Sequence, residues 1–505
     1  MKLLALRLCE HDSNISYFDG STVRYYKSER TTQVKHHAYN DLHSWKHDIE
    51  NIFNISVNDL DEIAIVVDPW SYEGLPEFAD GEVFPAIPWH WLETKCPSWR
   101  VNHHYAHALS GWMLTDKPDV SIVIDGFGDL DKAWSVFKGD QFIAEGSQKL
   151  NGSIGVSMAD AGRTLGVNFG HVSDIAGKVM GLQSYGTVDK KYLNELKQYN
   201  MLSINDVFSF DNWRTYKQDD LIANHTRLDW IATVHERVGE ILVDFFYQYC
   251  KKDDVVFYSG GVAQNVIWNT KLLKEFPNLV VPPHSTDEGL SLGALEWLRV
   301  KNNLPKFTLP NFPFVQSDTT PLDEPSLDTI KEVARLLSIG KTVAWYQGHG
   351  EVGPRALGNR SILMHPDLSK TKINAIKRRE NYRPFGASIL REHMKDYFID
   401  DINNPHMLFV SELRAYNTMD AIRHVDNTCR VQTVDETGGS FRILLKEFCK
   451  ESGYPILLNT SLNLAGKPIA GHMQSAEELF QTSELDCLVM GNDIYLKVYD
   501  ETKMD

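Results

Sequence analysis

The stretch LLALRLCEHDSNISYFDGSTVRYYKSER, residues 3–30, consists of three short runs of apolar and aromatic residues separated by two polar turns. Its first turn places His11 beside Asp12. Such runs and turns are typical of an antiparallel β-meander. A second stretch, DVSIVIDGFGDLDKAWSVFKGDQFIAEG at 119–146, has the same order of runs and turns. The repeat favours a duplicated domain, although two unrelated hairpins would show the same pattern.

The segments around these meanders predict an α/β protein. Residues 255–276, VVFYSGGVAQNVIWNTKLLKEF, indicate a buried strand, a turn at Gly260-Gly261 and a helix. Backbone N–H groups at a helix start attract phosphate or ribose, so this turn is a candidate nucleotide cradle, which the two acidic meander turns would face. Glycines at such a turn also serve plain close packing. Five prolines in 301–325 predict a domain boundary near 305–325, with domains at 1–315 and 325–505.

Composition restricts the class of protein. The 505 residues include 51 basic and 68 acidic ones, a formal net charge of −17, which argues against non-specific binding to a nucleic-acid backbone. The six cysteines form no CxxC pair, and we find neither a signal peptide nor an apolar run long enough to span a membrane. These features predict a multidomain cytoplasmic enzyme, without interaction with a membrane.

The first candidate site is a set of metal ligands. His103 and His107 lie four residues apart at the start of a predicted helix and would therefore share one face. Asp125 ends the next predicted strand, and Asp287 lies in a polar turn. Two imidazoles with carboxylates suit iron or manganese, and also zinc. A purely structural pair of histidines has the same spacing.

The second candidate site is a concentration of cations in this acidic chain. Residues 347–366 combine four glycines with Arg355 and Arg360, and residues 377–392 add further arginines. Guanidinium groups bind carboxylate and phosphate oxygens in pairs, so the pattern predicts a pocket for a small anion. A solvated helix face accounts equally well for several nearby cations: Lys370, Lys372, Lys377, Arg378 and Arg379.

The third candidate site follows the predicted strand at 456–458. Asn459, Thr460 and Ser461 place amide and hydroxyl groups at its end, which is a frequent ligand position in α/β sheets. Asn-Thr-Ser is also an ordinary turn sequence.

Taken together, these motifs resemble the NodU/CmcH-type O-carbamoyltransferases. The resemblance covers nearly the whole chain, in order. Its C-terminal part rests on GEVGPRALGNRSIL (350–363), ENYRPFGASIL (380–390), HVDNTCRVQTV (424–434) and YPILLNTSLNLAGKPI (454–469). Its N-terminal part rests on EHDSNISYFDG (10–20), SERTTQVKHH (28–37), NHHYAHALSGW (102–112), IVIDGFGD (122–129), GKVMGLQSYG (177–186) and GGVAQN (260–265).

The resemblance implies a fold and a reaction. The N-terminal half is similar to the metal-binding subunit of the tRNA threonylcarbamoyl-adenosine machinery, a duplicated domain of the actin/sugar-kinase/heat-shock ATPase type. The C-terminal half is similar to the smaller α/β adenylate-forming carbamoylation-factor fold. The implied reaction uses carbamoyl phosphate and ATP, with magnesium, to form a carbamoyl-adenylate, whose carbamoyl group passes to an acceptor hydroxyl.

The resemblance also implies roles for individual residues. His11 would be the base, oriented by Asp12. The implied metal ligands are His103, His107, Asp125 and Asp287, with iron the expected metal. The implied nucleotide cradle of the N-terminal domain is Lys178, Gly260, Gly261 and Asn265. The implied carbamoyl phosphate and ATP ligands are Arg355, Asn359, Arg360, Lys377, Arg383, Arg430, Asn459 and Ser461, which moves Lys377 from the surface to the site.

Some residues depart from the family pattern. His349, Val352, Leu462 and Ala465 stand where an arginine or an aromatic residue is usual. The aromatic segment 68–100 matches no family motif, and we interpret it either as an acceptor-recognition segment or as ordinary packing.

Several functions remain open at this point. A sugar or natural-product hydroxyl is the expected acceptor. The same chemistry on a hydroxymethylated base of a nucleic acid is the alternative, since the aromatic segment could stack on a flipped base. A non-catalytic nucleotide-binding regulator would not need an anion pocket, and a sugar kinase would not need the histidine pair or the second domain. The oligomeric state is open.

Overall fold

The computed structural model describes residues 1–8, 10–39, 41, 43–68, 78, 86–89, 94–115, 117–167, 170–216, 223–317, 322–414 and 419–497. The chain divides into two compact units. Unit 1 comprises Met1–Ser28 and His36–Pro310. Unit 2 comprises Glu29–Lys35 and the chain from Asn311 onward.

The first sheet of unit 1 begins with the meander predicted at residues 3–30. Its strands are β1 (Leu3–Leu8), β2 (Asn14–Phe18), β3 (Val23–Lys27), β4 (Glu62–Val67), β5 (Ala86–Pro88) and β6 (Ser98–Val101). Their order is β3-β2-β1-β4-β6-β5. The first three strands are antiparallel, and β4 and β6 continue the sheet in parallel with β1.

The second sheet of unit 1 repeats this arrangement. Its strands are β7 (Val120–Ile124), β8 (Lys132–Lys138), β9 (Gln141–Ser147), β10 (Val256–Ser259) and β11 (Leu279–Val280). A meander of β7, β8 and β9 is followed by β10 and β11, which run parallel to β7 in the order β11-β10-β7-β8-β9. The matching topology confirms the predicted duplication within this α/β domain, because unrelated hairpins would not share the parallel strands as well.

Helices surround the two sheets, and α1, which begins at Ser28, passes into unit 2. The α-helices are α1 (Ser28–Thr32), α2 (Ser44–Asp48), α3 (His103–Leu109), α4 (Gln148–Asn151), α5 (Ile154–Leu165), α6 (Val172–Leu182), α7 (Lys190–Leu196), α8 (Ile204–Val207), α9 (Phe210–Tyr216), α10 (Ala223–Tyr249), α11 (Val266–Glu275) and α12 (Leu290–Lys301). A π-helical turn spans Ile49–Phe53, and 3₁₀ turns include Gly261–Gln264 and Asp287–Gly289. The buried α12 packs on β1 and β4 and also against α3.

Unit 2 contains one mixed sheet with helices on both faces. Its strands are β12 (Val343–Tyr346), β13 (Arg360–Met364), β14 (Gly386–Leu390), β15 (Ser411–Glu412), β16 (Thr428–Val434), β17 (Ile456–Ser461), β18 (Cys487–Met490) and β19 (Asp493–Leu496). Their order is β15-β16-β14-β17-β13-β12-β18-β19. The helices are α13 (Leu327–Ser338), α14 (Lys370–Lys377), α15 (Met394–Tyr397), α16 (Gly439–Ser452) and α17 (Met473–Thr482).

The alternation of side chains along a strand builds two hydrophobic cores in unit 2. In β12, Val343 and Trp345 enter the core under α13 and α16, whereas Ala344 and Tyr346 enter the core under α14 and α17. Unit 2 is therefore an α/β domain, as predicted.

The proline-rich stretch 301–325 contains the change from unit 1 to unit 2, and its residues 318–321 lie outside the described ranges. The expected division at 1–315 and 325–505 did not anticipate that Glu29–Lys35 belongs with the C-terminal unit. In the part of the chain that the structure describes, every helix is too short or too polar to span a bilayer.

Packing of α12 against α3 leaves no room for a side chain at Gly293. A Cβ atom there would overlap the carbonyl oxygen of Ala106 in α3, whereas the exposed Gly177 in α6 has nothing within 4 Å of such an atom. We expect Gly293→Ala to lower the free energy of unfolding by about 1–3 kcal/mol. Gly177→Ala should instead raise it by up to about 1 kcal/mol. Urea denaturation followed by tryptophan fluorescence measures both changes, and equal effects would contradict this packing.

Candidate functional site

The short helix α3 presents two imidazoles to one point inside unit 1. Asn102 caps the helix, accepting the backbone N–H of Tyr105 at 3.0 Å, so α3 begins with His103 in its first turn. His103 and His107, four residues apart, are both buried. Asp125, directly after β7, and Asp287, in the turn before α12, approach the same point from two other elements.

The four side chains have the spacing of a metal site. Asp125 Oδ2 lies 3.1 Å from His107 Nε2 and 3.4 Å from His103 Nε2, and Asp287 Oδ1 lies 3.5 and 3.6 Å from the same two nitrogens. All four candidate ligand atoms lie within 4.8 Å of one another. A tetrahedral ion with bonds of about 2.1 Å separates its ligands by about 3.4 Å. The set therefore fits a divalent transition metal, and it contains the four residues predicted as ligands.

Other polar groups hold these ligands in place. Asp68 Oδ1 lies 3.3 Å from His103 Nδ1, and Ser259 Oγ lies 3.3 Å from His107 Nδ1. Arg7, which is completely buried, donates to Asp68 and, at 2.9 Å, to Asp287 Oδ2. Although burial opposes ionisation of Asp68, the Arg7 guanidinium and His103 hold the pKa of that carboxyl well below its usual range. Partners of this kind orient metal-binding imidazoles and keep the carboxylates charged.

His104, between the two candidate ligands, belongs to a different environment. Its Nδ1 lies 2.7 Å from Ser135 Oγ. Burial, together with the neighbouring His103, lowers the pKa of His104 to about 3. It is therefore a neutral core residue.

The predicted base lies beside this cluster. His11 Nδ1 is 2.9 Å from Asp12 Oδ2, and His11 Nε2 is 4.0 Å from Asp287 Oδ2. Burial by itself would lower the pKa of His11, but the hydrogen bond to Asp12 raises it. Asp12 has a positive φ of 56°, a conformation that few non-glycine residues adopt. The structure thus brings together His11, Asp12 and the metal-type cluster, as the resemblance implied.

Two further histidines join Asp12, and sequence reasoning assigned neither of them a role. His36 Nδ1 lies 3.0 Å from Asp12 Oδ2, and the His171 ring stacks on His36 with centroids 4.1 Å apart. Burial by itself would lower the pKa of His36, but hydrogen bonds to Asp12 and Asp174 raise it to about 9. Burial and the charge of His36 lower the pKa of His171 to about 4. At neutral pH, a charged and a neutral imidazole therefore stack face to face.

A buried lysine completes the surroundings of Asp12. Lys27 Nζ lies 2.9 Å from Asp12 Oδ1 and 2.6 Å from Glu288 Oε1. Against the effect of burial, Lys27, His11 and His36 hold the pKa of Asp12 well below its usual range. His36 lies in the motif SERTTQVKHH, and Lys27 directly precedes it. This motif was therefore the sequence signal that could have identified both residues.

The predicted nucleotide cradle has several of its polar groups engaged within the protein. Gly260, with φ of 93°, donates its N–H to Ser285 O at 2.8 Å, and Gly261 donates to Asp125 Oδ1 at 3.0 Å. Asn265 Oδ1 caps α11, and its amide nitrogen lies 2.9 Å from His235 Nε2. Lys178 is buried in α6. These groups shape the turn around Asp125, and their contact with a nucleotide stays a prediction.

In unit 2, a buried carboxylate organises the glycine-rich loop before β13. Glu351 Oε1 accepts the backbone N–H groups of Leu357, Asn359 and Arg360 at 2.8–3.1 Å. Arg360 is 1% exposed, and it donates to the carbonyl oxygens of Gln347 and Gly348 while its guanidinium stacks over Tyr346 at 3.6 Å. The predicted anion ligand Arg360 thus has both terminal nitrogens bonded to the loop backbone. Arg355, in the same loop, is half-buried.

Two predicted asparagines are also bonded within the protein. Asn459 is 1% exposed and donates to Ser388 Oγ at 2.9 Å, next to Gln432, whose amide donates to Leu357 O at 2.8 Å. Asn359 donates to His349 O at 2.9 Å. These bonds connect the sheet to the loop and position it.

Four cations form a cluster beside this loop. Lys377 is 4% exposed, and its Nζ donates to Asn463 Oδ1 at 2.6 Å and to Ser461 Oγ at 3.2 Å, both neutral acceptors. Burial and then repulsion by Arg379 and Arg383 hold the pKa of Lys377 well below its usual range. Burial likewise lowers the pKa of Arg430 to about 10, with a contribution from Arg383. An added anion would relieve this repulsion.

Arg379 is the member of this cluster that sequence reasoning missed. It stacks over Phe385 at 3.7 Å, donates to Pro384 O at 2.7 Å and is only partly exposed, so of the two interpretations left open for it the solvated helix face does not apply. Helical periodicity could not reveal the position of Arg379, because α14 ends at Lys377 and the chain then turns at Arg378.

The four departures from the family pattern lie close to this loop and cluster. Val352 and Leu462 are buried, and Leu462 belongs to the core under α14 and α17. His349 Nδ1 lies 2.9 Å from Gln316 O, and the Ala465 N–H donates to Lys377 O at 3.1 Å. Most of the aromatic segment 68–100 lies outside the described residues.

Comparison with known proteins gives consistent matches. A family model described as "Carbamoyltransferase N-terminus" matches residues 93–295, and one described as "Carbamoyltransferase C-terminus" matches residues 334–497. Nodulation protein NolO of Bradyrhizobium diazoefficiens is 31% identical over 433 residues, which cover 77% of this chain and 78% of that protein. The 3'-hydroxymethylcephem-O-carbamoyltransferase of Amycolatopsis lactamdurans is 30% identical over 275 residues, 52% of this chain and 53% of that protein.

Among solved structures, the activator of the 2-hydroxyisocaproyl-CoA dehydratase from Clostridium difficile covers 61% of this chain and 100% of its own, with a TM-score of 0.37 and 12% identity.

Metal content tests the cluster at α3. We expect His107→Gln to abolish stoichiometric binding of a divalent ion, because it removes a ligand. Asp68→Asn should weaken binding by about 10- to 100-fold, because it removes only the partner of His103. His235→Gln, a buried histidine elsewhere in unit 1, is the control and should bind like the wild type. Elemental analysis after dialysis against graded chelator measures this, and full metal content in His107→Gln would contradict the assignment.

The pH dependence of stability tests the charge of His36. Because its pKa is raised to about 9, the stabilisation it contributes is complete below its ordinary value near 6.5 and is lost as the pH rises through 9. We expect His36→Gln to lower the free energy of unfolding by about 3 kcal/mol at pH 6, with the difference vanishing towards pH 10. His47→Gln, at an exposed histidine, should have no such effect. A pH-independent difference measured by urea denaturation would refute this.

Proposed function

This chain is a member of the carbamoyltransferase family, and we propose that it transfers a carbamoyl group from carbamoyl phosphate, through a carbamoyl-adenylate, to a hydroxyl group of a small molecule. The observation that carries this proposal is the cation cluster of unit 2 around the buried Lys377, whose Nζ donates to the neutral acceptors Asn463 Oδ1 and Ser461 Oγ. Such a cluster suits the anionic substrates carbamoyl phosphate and ATP, with magnesium accompanying the ATP.

The donor half-reaction is assigned to unit 2. One carbamoyl phosphate, one ATP and one water give the carbamoyl-adenylate, pyrophosphate and phosphate. The cation cluster would hold the phosphate oxygens and compensate the charge that develops as pyrophosphate leaves. Its members are Lys377, Arg383, Arg430 and Arg379. Ser461 would orient Lys377, to which it is hydrogen-bonded. Adenylation is needed because a carbamate is a poor electrophile without a good leaving group.

The transfer half-reaction is assigned to unit 1. A carboxylate accepts hydrogen bonds but cannot donate them, so Asp12 selects the form of His11 that carries a proton on Nδ1. Nε2, on the side of Asp287, is then the atom that takes the proton from the acceptor hydroxyl. The oxygen forms its bond to the carbamoyl carbon while the bond to AMP breaks. A divalent ion held by His103, His107, Asp125 and Asp287, for which we propose iron with manganese or zinc as alternatives, would supply Lewis acidity there.

The relatives favour a small-molecule acceptor. The name of the cephem enzyme specifies a hydroxymethyl group on a small molecule, which supports a small-molecule alcohol over a hydroxymethylated nucleic-acid base. Membership of the carbamoyltransferase family argues against the regulator and sugar-kinase interpretations. We also propose a cytoplasmic location, since the reaction consumes ATP and all five cysteines in the described ranges are unpaired.

Incubation of the purified protein with carbamoyl phosphate, ATP, magnesium and a panel of sugars and natural-product alcohols tests the proposal. The expected product is the acceptor with one added HNCO, accompanied by AMP, as detected by mass spectrometry. The absence of both AMP release and carbamoyl-phosphate-dependent exchange between ATP and pyrophosphate would overturn it.

Two variants separate the half-reactions. We expect Lys377→Gln to reduce carbamoyl-phosphate-dependent ATP–pyrophosphate exchange by at least about 100-fold, because it removes a buried charge from the phosphate site. Lys372→Gln, on the same helix but bonded to Asp486, should retain exchange. His107→Gln should retain exchange and lose transfer. Loss of exchange in His107→Gln would contradict the division of chemistry between the units.

A further inference from the structure

The motif SERTTQVKHH contains a segment whose role the two half-reactions do not explain. Its residues Glu29–Lys35 belong to unit 2, although the rest of that unit begins only at Asn311. The backbone of this segment packs tightly there. A Cβ atom at Gly471 would overlap the carbonyl oxygen of Arg30. The segment is therefore an integral part of unit 2.

Arg30 connects this segment to the glycine-rich loop. It is 3% exposed, and its Nη2 donates to the carbonyl oxygen of Gly353 at 2.8 Å. Gly353 has a φ of 95° and directly precedes Pro354 and Arg355. One half of the Arg30 guanidinium is thus fixed on the loop that we assign to the donor site.

The other half of the guanidinium carries an unused donor. Nη1 of Arg30 is buried and has no hydrogen-bond partner among the described residues. The carboxylate of Glu29 approaches Nε, at 4.0 Å, and not Nη1. A buried donor on a charged group is costly when it has no acceptor, so its persistence points to an acceptor that binds from outside the protein.

Lys35, at the other end of the segment, adds a second charge. Burial is the largest cause of the lowered pKa of Lys377, and the charges of Arg379, Arg383 and Lys35 lower it further. The Lys35 ammonium therefore acts on the same cluster. Lys35 is partly exposed. The segment thus brings one buried cation to the glycine-rich loop and one partly exposed cation to the neighbourhood of Lys377.

From these contacts we infer that Arg30 binds a phosphate oxygen of the donor substrates through Nη1, and that Lys35 adds electrostatic attraction at the same site. This inference rests on the proposed function, because it assigns further residues to the donor site of unit 2. A guanidinium with one nitrogen fixed on a carbonyl can offer the other to an oxyanion without rotating. Arg30 would then be a binding residue, and Gly353 would position it.

Binding of inorganic pyrophosphate to the full-length protein, measured by calorimetry, is the direct test. We expect Arg30→Gln to weaken this binding by about 10- to 150-fold, as for loss of a charge-assisted hydrogen bond. Lys35→Gln should weaken it by no more than about fivefold, because its charge is screened by solvent. The control is Arg24→Gln, in which a half-buried arginine that donates to Ile52 O at 2.7 Å is replaced in unit 1. It should bind pyrophosphate like the wild type.

Two further measurements distinguish binding from a structural role. Free guanidinium at millimolar concentration should restore pyrophosphate binding to Arg30→Ala, which loss of folding would not permit. In ATP–pyrophosphate exchange, Arg30→Gln should raise KM for carbamoyl phosphate more than it lowers kcat. Unchanged pyrophosphate affinity in Arg30→Gln would overturn this inference, even if wild-type exchange confirmed the donor chemistry. Absence of both exchange and AMP release in the wild type would overturn the proposed function, and the pyrophosphate titration would still decide the role of Arg30.

Discussion

The arrangement of unit 1 depends on one constraint: two buried carboxylates, Asp125 and Asp287, must stay charged close to two imidazoles. A buried carboxylate without compensation would take up a proton, so each needs cations or hydrogen-bond donors around it. Arg7, from the centre of the first sheet, supplies the charge for Asp287, while the backbone N–H of Gly261 supports Asp125. The duplicated fold makes this geometry available, since β1 and β7 occupy equivalent positions in their sheets.

Unit 2 solves the opposite problem. Its cation cluster has no matching carboxylate at the buried Lys377. Burial, together with repulsion by neighbouring cations, lowers the pKa values of Lys377 and Arg430. A bound anion would stabilise this arrangement, which is why we propose it as the donor site. The network of Glu351, Arg360 and Asn459 holds the loop beside it, so that binding need not first order the backbone. The net charge of −17 therefore describes the whole chain and says little about this interior.

Much of the site was predictable because its residues occur in short, ordered motifs. The pair His103 and His107 follows from helical spacing, and the strand-turn-strand pattern located Asp12 and Asp125 in equivalent turns. Arg7 and Asp68 escaped prediction because each lies at the end of a hydrophobic strand, where a charge carries no local signal. His171 escaped for another reason, since its ring meets His36 only after α6 has packed beside the meander. Arg360 and Asn459, predicted as ligands, also donate hydrogen bonds to the loop backbone, and their contact with a substrate stays a prediction.

The sequence by itself determined the α/β class, the family resemblance and the four residues of the metal-type cluster, because periodicity and motif order are local properties of the chain. The duplication was decided by the matching topology of the two sheets. Only the tertiary structure decided which charges meet. Burial and pairing depend on residues far apart in the chain. They set the charge of His36, the neutrality of His104 and the repulsion at Lys377. The same holds for Arg30, whose place in unit 2 comes from packing against Gly353 and Gly471, a contact that no spacing in the sequence records.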